Sequence, residues 1–179
     1  MQDLEHYISH NYSKTAAVDL AHALSHKPEK ISELLQIIYR EEEPVSRIAA
    51  WYLSTLFDYY PQLVYPYVDE MVGQVITLKS PAVIRALLRS ISRSKRIKEE
   101  HHGILIQYTA DSILSSKTEV AVQLFSLEIF FQIAKIQPEL FFELENMIDL
   151  IYSEASKGIR NKCRNLLKQI DQIRSRQRH

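Results

Sequence analysis

The segment SPAVIRALLRSI, residues 80–91, decides the fold, because its pattern returns along the whole chain. Its central arginine has counterparts at intervals of 33, 38, 38 and 37 residues, which we call the ladder: Lys14, Arg47, Arg85, Gln123 and Arg160. A period of this size is typical of arrays built from paired helices. The sequence therefore predicts a helical-repeat protein with about five repeats.

Two further columns accompany the ladder. The residues three positions after each ladder residue are mostly small: Ala17, Ala50, Leu88, Ser126 and Cys163. The residues six positions after it are all apolar: Leu20, Leu53, Ile91, Ile129 and Leu166. Because Cys163 stands in the column of small residues, we expect its thiol to be buried and unreactive, without a base to activate it.

Apolar residues recur at helical spacing, and no segment alternates in the way a half-buried strand does. First helices of each pair (A helices) are predicted near residues 2–11, 29–40, 62–78, 99–115 and 139–155. Second helices (B helices) are predicted near residues 14–26, 45–59, 82–95, 119–135 and 158–174. The resulting units, 1–26, 28–59, 61–95, 98–135 and 138–175, form one predicted domain, 1–175, followed by a frayed polar tail, 176–179.

Proline marks the starts of the helices. Five prolines stand where a new helical pattern begins: Pro28, Pro44, Pro61, Pro81 and Pro138. Proline suits the first turn of a helix, where its missing N–H would have no partner. Pro66 lies one turn inside a helix that starts at Pro61, so we expect a kink or an irregular turn there.

Composition excludes several classes of function. The 179 residues are 46% hydrophobic and 25% charged. The 22 basic residues balance 22 acidic ones, and this absence of net positive charge argues against a dedicated nucleic-acid binder. The three glycines are scattered, so no nucleotide-binding loop is indicated. One cysteine allows no internal disulfide, and neither a signal peptide nor a membrane-spanning run is evident. We therefore expect a cytoplasmic protein that does not enter the membrane and has no cofactor.

Three of the repeated segments resemble the HEAT-repeat family, whose near relatives are the armadillo-like arrays. They are EPVSRIAAWYLSTL (43–56), SPAVIRALLRSI (80–91) and SKGIRNKCRNLL (156–167); elsewhere Lys14 and Gln123 replace the family's arginine. The resemblance implies an all-α fold, a right-handed α-α superhelix of about five antiparallel helix pairs. It also implies that the B helices line the concave surface, a common binding surface in solenoids.

In that family an acidic residue near the turn within a repeat often pairs with the ladder arginine. Six positions before the ladder, this chain has Glu41 and Glu154, but lysine in the middle units, at Lys79 and Lys117. We therefore expect Arg85 to lack its acidic partner and to be available for another ligand.

Residues 0, 4, 7 and 11 positions after a ladder residue share one face of a B helix. The predicted face consists of Arg47, Trp51, Ser54 and Asp58, then Arg85, Arg89, Ser92 and Arg96, and near the end Arg160, Arg164 and Asp171. One interpretation is a basic groove with an exposed tryptophan, suited to an acidic peptide or a phosphate backbone. The other is that the arginines pair within the scaffold and Trp51 packs in the core.

Other clusters have simpler interpretations. His6 and His10, and likewise His22 and His26, are one helical turn apart and could face a metal ion, or they could be solvated. The run Glu41 to Glu43 is predicted to be a solvated charge cluster that favours the start of the helix that follows it. His101 and His102 are predicted at the surface. The aromatic residues between Trp51 and Tyr67 are expected to pack between the second and third repeats rather than to form a ligand box.

No spacing of residues indicates a catalytic arrangement, so a non-enzymatic scaffold is expected. It would bind a partner protein or acidic segment through Arg47, Trp51, Arg85, Arg89, Arg160 and Arg164. The alternative is nucleic-acid binding of the kind found in the HEAT-like DNA alkylation-repeat glycosylases. Three features of the chain depart from that family: it has a single Trp, no net charge and no evident catalytic Asp beside that Trp. We expect a monomer or a weak dimer.

Overall fold

The computed structural model describes residues 3–94 and 97–177, and no strand occurs among them. The α-helices are α1 Leu4–His10, α2 Lys14–Ser25, α3 Lys30–Tyr39, α4 Val45–Tyr59, α5 Pro61–Val64, α6 Val68–Val75, α7 Pro81–Ser92, α8 His102–Leu114, α9 Val120–Ala134, α10 Leu140–Tyr152 and α11 Lys157–Gln177. The chain packs as two compact units, Met1–Arg96 and Ile97–His179. The all-α helical-repeat class predicted from the sequence is confirmed.

The first unit holds three helix pairs around α4. The A helices are α1, α3 and the segment α5–α6, and the B helices are α2, α4 and α7. Helix α4 contacts both neighbouring B helices, α2 and α7, as well as α1 and α3. Its buried side chains include Tyr52, Leu53 and Leu56, each 1% exposed or less. The layer of B helices is therefore held together through α4, and the face that α4 leaves uncovered is the candidate site.

The third A helix is interrupted at the proline that the sequence singles out. A 3₁₀ turn, Tyr65–Tyr67, separates α5 from α6. Pro66 has no N–H to donate to the preceding turn, and its ring crowds the carbonyl one turn back. The predicted irregular turn is confirmed, and it divides the continuous helix expected over 62–78 into two short pieces.

The second unit holds the pairs α8/α9 and α10/α11. Helix α9 contacts α8, α10 and α11, and Phe130 and Phe131 lie in the core at its end. On the outer side of that core, Glu145 of α10 receives two hydrogen bonds from the guanidinium of Arg174, at 2.6 and 2.8 Å. This paired geometry joins the first helix of the last repeat to the far end of α11.

The two columns that accompany the ladder are buried throughout. All ten residues are 1% exposed or less: Ala17, Leu20, Ala50, Leu53, Leu88, Ile91, Ser126, Ile129, Cys163 and Leu166. Small side chains let neighbouring B helices approach closely, and the apolar column one turn later fills the core. This burial confirms the predicted packing of each repeat.

The ends of the elements differ slightly from expectation. Helix α7 ends at Ser92, and the fourth A helix begins with a 3₁₀ turn, Glu99–His101. Helix α11 continues to Gln177, inside the segment predicted as a polar tail, while residues 178–179 lie outside the described part of the chain.

No helix in the described residues is both long and apolar enough to cross a bilayer. The single domain over 1–175 stays a prediction.

Candidate functional site

Each ladder residue lies near the N-terminus of a B helix, within the first five residues of α2, α4, α7, α9 or α11. Lys14, Arg47 and Arg85 are exposed, Arg160 is half-buried and Gln123 is buried. The N-terminal end of a helix carries partial positive charge, so a cation there gains nothing from the helix itself. An anion near these cations, from the protein or from a ligand, would therefore be favourable both to the cation and to the helix end.

The first arginine of the ladder lies over one aromatic ring, which contacts a second. Arg47 donates from Nε to Glu43 Oε2 at 3.3 Å, and its guanidinium carbon lies 5.8 Å from the centre of the Tyr12 ring. Tyr12 also meets Trp51 edge-on, with ring centres 5.3 Å apart and planes at 77°. We call Tyr12, Arg47 and Trp51 the aromatic corner. Trp51 is half-buried and Tyr12 is 65% exposed, so ring surface faces solvent here.

The expected pair between Glu41 and Arg47 is wrong, because Glu41 has a different partner. Its Oε1 accepts hydrogen bonds from the backbone N–H groups of Lys79, at 2.8 Å, and of Ser80. These groups immediately precede α7, which belongs to the next repeat. Glu41 also has a φ of +53°, a left-handed conformation that the two bonds hold in place. It therefore anchors the backbone that leads into α7 and is not part of a solvated charge run.

Arg89 is held inside the first unit. Its Nη1 donates to the Ser54 carbonyl at 3.1 Å, and its Nη2 donates to Asp58 Oδ1 at 2.6 Å. Arg93 donates to the same carboxylate oxygen at 3.0 Å. We call Asp58, Arg89 and Arg93 the guanidinium cluster. One carboxylate serves two guanidinium groups, so the cluster keeps one unit of positive charge.

Arg85 is exposed and makes an interaction within the structure, and its availability for an outside ligand stays a prediction. Counting six residues back tests only one of its neighbours, and partners from other elements escape that count. The lysine found at that position, Lys79, instead presents its backbone N–H to Glu41. Arg96, the last residue predicted on this face, lies outside the described residues.

The ladder residues of the second unit have different surroundings. Gln123 Nε2 donates to the carbonyls of Ile113 and Ser115, at 3.2 and 3.1 Å, where α8 ends. Within residues 97–177, Arg160 has no carboxylate at ion-pair distance, so the expected pair with Glu154 is not made. Arg164 is exposed and donates to Asn161 Oδ1.

The histidines do not gather into a metal centre. The rings of His6 and His10 are 4.1 Å apart, and His22 shares a hydrogen bond with the Tyr60 hydroxyl. Among residues 3–94 and 97–177, no group of three or more His, Cys, Asp or Glu could hold a metal ion. His102 is 3% exposed, so its predicted surface position is wrong. Its Nε2 lies 3.2 Å from the Ile97 carbonyl oxygen, and its Nδ1 lies 2.9 Å from Gln137 Nε2.

The other aromatic residues of the cluster between Trp51 and Tyr67 mostly pack within the first unit. Phe57 meets Tyr65 edge-on with ring centres 5.7 Å apart, which places α4 against the third repeat as expected. Tyr52 is buried, and burial raises the pKa of its hydroxyl to about 12. That hydroxyl donates to the Asn11 carbonyl. Around Arg47 the exposed ring surface therefore comes from Tyr12 and Trp51, whereas Tyr59, 51% exposed, lies at the other end of α4. Tyr12 is the residue that sequence analysis missed.

We expect Cys163 to resist modification in the folded protein. The thiol is fully buried, and burial raises its pKa, so little thiolate forms at neutral pH. With a chromogenic disulfide reagent at pH 8, labelling should be more than about a hundredfold slower than for the unfolded chain. The variant Ser116→Cys supplies an exposed thiol as control and should react at once. Fast labelling of Cys163 under native conditions would contradict this burial.

Comparison with known proteins agrees with the repeat geometry. A model of the HEAT repeat domain matches residues 4–170. No protein of curated function matches the chain, and no solved structure does. The match covers all five ladder residues and the helices that carry them. The chain therefore belongs to the HEAT-repeat family.

Proposed function

We propose that this protein is a non-enzymatic scaffold that binds an acidic segment of a partner protein on its B-helix face. HEAT repeats generally serve as scaffolds for protein interactions. The proposed contacts are Arg47, Trp51, Arg85 and Arg89 in the first unit and Arg160 and Arg164 in the second. The single, buried thiol suits a reducing compartment, and we propose that the protein acts in the cytoplasm.

The observation that carries the proposal is the aromatic corner. Arg47 is 46% exposed, and its one carboxylate contact, to Glu43, is a surface pair of the kind that contributes little to stability. A carboxylate of a partner can therefore replace Glu43 at low cost. The faces of Tyr12 and Trp51 offer apolar contact beside that charge, and aromatic residues with arginine are the residue types most enriched at binding hot spots.

The guanidinium cluster adds to this surface from α7. Its surplus positive charge remains after Asp58 is shared between Arg89 and Arg93, and Arg93 is 50% exposed. A second carboxylate can approach Arg93 without breaking the bonds that hold Arg89. Because Arg89 is only 20% exposed and fully bonded, its proposed role is to support the charge of the surface.

The test is fluorescence anisotropy with a labelled peptide of glutamates interrupted by phenylalanines. Arg47→Gln and Trp51→Ala should each weaken binding about tenfold, since each removes one contact in the aromatic corner. The matched control is Arg40→Gln, which removes a cation of similar exposure, 44% against 46% for Arg47. Arg40 pairs with Glu5 and follows an A helix, α3. The control should leave the affinity unchanged.

Two outcomes would reject the proposal. In the first, Arg47→Gln and Trp51→Ala bind the acidic peptide as well as the unaltered protein does. In the second, duplex DNA binds more tightly than the peptide, with affinity that falls steeply as salt rises, which is the mark of phosphate contacts. The second outcome would favour the nucleic-acid alternative.

A further inference from the structure

The second unit divides its charges between its helices. Residues 97–156 contain ten acidic and three basic residues, whereas residues 157–177 contain seven basic and one acidic. The A helices α8 and α10 contain no lysine or arginine at all. Seven of the ten basic residues within 97–177 belong to α11 and the other three lie outside α8 and α10, so the A helices of this unit are acidic.

Helix α10 exposes an apolar stripe within this acidic surface. Phe142 is 69% exposed and Leu150 is 72% exposed. They are eight residues apart, which is about 12 Å along the helix, with the exposed Asn146 between them. Exposed polar residues along the same helix and its two ends include four acidic ones and a serine: Glu139, Glu143, Asp149, Ser153 and Glu154. Within residues 97–177 no cation pairs with these four carboxylates.

Leu150 also borders a groove of about 340 Å³ between the turn after α8 and the end of α10. Leu114 and Val120, 47% and 45% exposed, line the opposite side, and Glu154 stands at the rim. This volume is at the small end of binding pockets and is large enough for one or two side chains. Isolated exposed apolar residues are normal, but a contiguous set around a groove marks an interaction site.

We propose that this surface, the α10 stripe together with the groove, docks a basic amphipathic helix of another protein. The four unpaired carboxylates complement lysines and arginines at the edges of such a helix. Apolar residues seven or eight positions apart on its inner face match the spacing of Phe142 and Leu150, and one of them enters the groove. This surface is separate in residues and in charge from the one proposed for acidic segments.

A second copy of the chain fits this surface less well. The basic helix of the chain is α11, and its exposed residues are polar or glycine, including Lys157, Arg164 and Lys168. It offers the required charge but no exposed bulky apolar side chain for Phe142 or the groove. The chemistry therefore points to a segment from another protein, with self-association as the competing outcome to be measured.

The experiment uses a fluorescein-labelled peptide of about 18 residues, five helical turns, with leucines on one face and lysines on the other. The full-length protein should bind it, and Phe142→Ser combined with Leu150→Ser should weaken binding at least about tenfold. Glu143→Gln combined with Asp149→Asn should also weaken binding and should flatten its salt dependence. A scrambled peptide of the same composition, and a peptide with glutamate in place of lysine, should not respond to these substitutions.

The control is Tyr59→Ser combined with Ile76→Ser, which removes two exposed apolar side chains of the first unit, 51% and 37% exposed. It should leave binding of the lysine peptide unchanged. Equal loss in this control, or no loss with the α10 substitutions, would overturn the proposal. So would a dimer of the unaltered protein, seen by light scattering, that disappears with Phe142→Ser and Leu150→Ser. Binding of the acidic peptide is a separate readout, so either proposal can fail without the other.

Discussion

Phe130→Ala should lower the free energy of unfolding by about 3–5 kcal/mol, the largest effect we expect from a single substitution. Phe130 is 0% exposed and lies in α9, the helix that contacts every other α-helix of the second unit. Its core neighbours come from several helices, so they can move into the vacated space only in part. The substitution removes apolar contacts and leaves a cavity, and both terms act in the same direction.

The matched control is Phe142→Ala, which makes the same chemical change on a ring that is 69% exposed. It should alter stability by less than about 0.5 kcal/mol. Urea denaturation followed by circular dichroism measures both variants. If both variants lose the same free energy of unfolding, then α9 is not the centre of this core or the chain does not unfold cooperatively. A Phe142 variant that keeps its stability also makes the docking test on α10 independent of folding.

Gln123→Leu is the second prediction, with an expected cost of about 1–3 kcal/mol. The amide is 9% exposed and supplies hydrogen bonds to the carbonyls of Ile113 and Ser115. Leucine has a similar volume but no donor, so the Ile113 carbonyl loses this partner, whereas the Ser115 carbonyl keeps a hydrogen bond from the Thr118 backbone N–H. The cost is therefore mainly that of one unsatisfied acceptor rather than of lost packing.

Two further substitutions identify the cause by the same urea measurement. Gln123→Arg restores donors at the C-terminal end of α8, where a cation is favourable, so it should recover part of the loss. Gln107→Leu removes an exposed amide that bonds only to Asp111 on the surface, and it should change stability by less than about 0.5 kcal/mol. If the Gln123→Leu variant has the same free energy of unfolding as the unaltered protein, the carbonyls at the end of α8 do not depend on this amide.

The parts of the structure that could be predicted from the sequence depend on local periodicity. Burial of the column from Ala17 to Cys163 follows from spacing along each B helix, and the interruption at Pro66 follows from a missing N–H. The HEAT-repeat family was identifiable from the segments around Arg47, Arg85 and Arg160. Each of these inferences needs only residues within one helix or one repeat.

The parts that were missed depend on partners in different repeats or loops. Tyr12 lies in a turn and meets Trp51 39 positions later. Glu41 reaches the start of α7, and His102 is buried through contacts with Ile97 and Gln137. No periodic pattern encodes which side chain crosses from one repeat to another. Counting positions before the ladder therefore gave wrong partners for Arg47 and Arg160.

The hydrogen bonds that Glu41 accepts couple two neighbouring repeats. The carboxylate belongs to the second repeat, but it accepts the backbone N–H groups that lead into α7 of the third. If either repeat opens locally, these bonds are lost, and each contributes on the order of 1 kcal/mol. A free-energy coupling of this kind acts equally in both directions. Local opening of one of these two repeats therefore favours opening of the other.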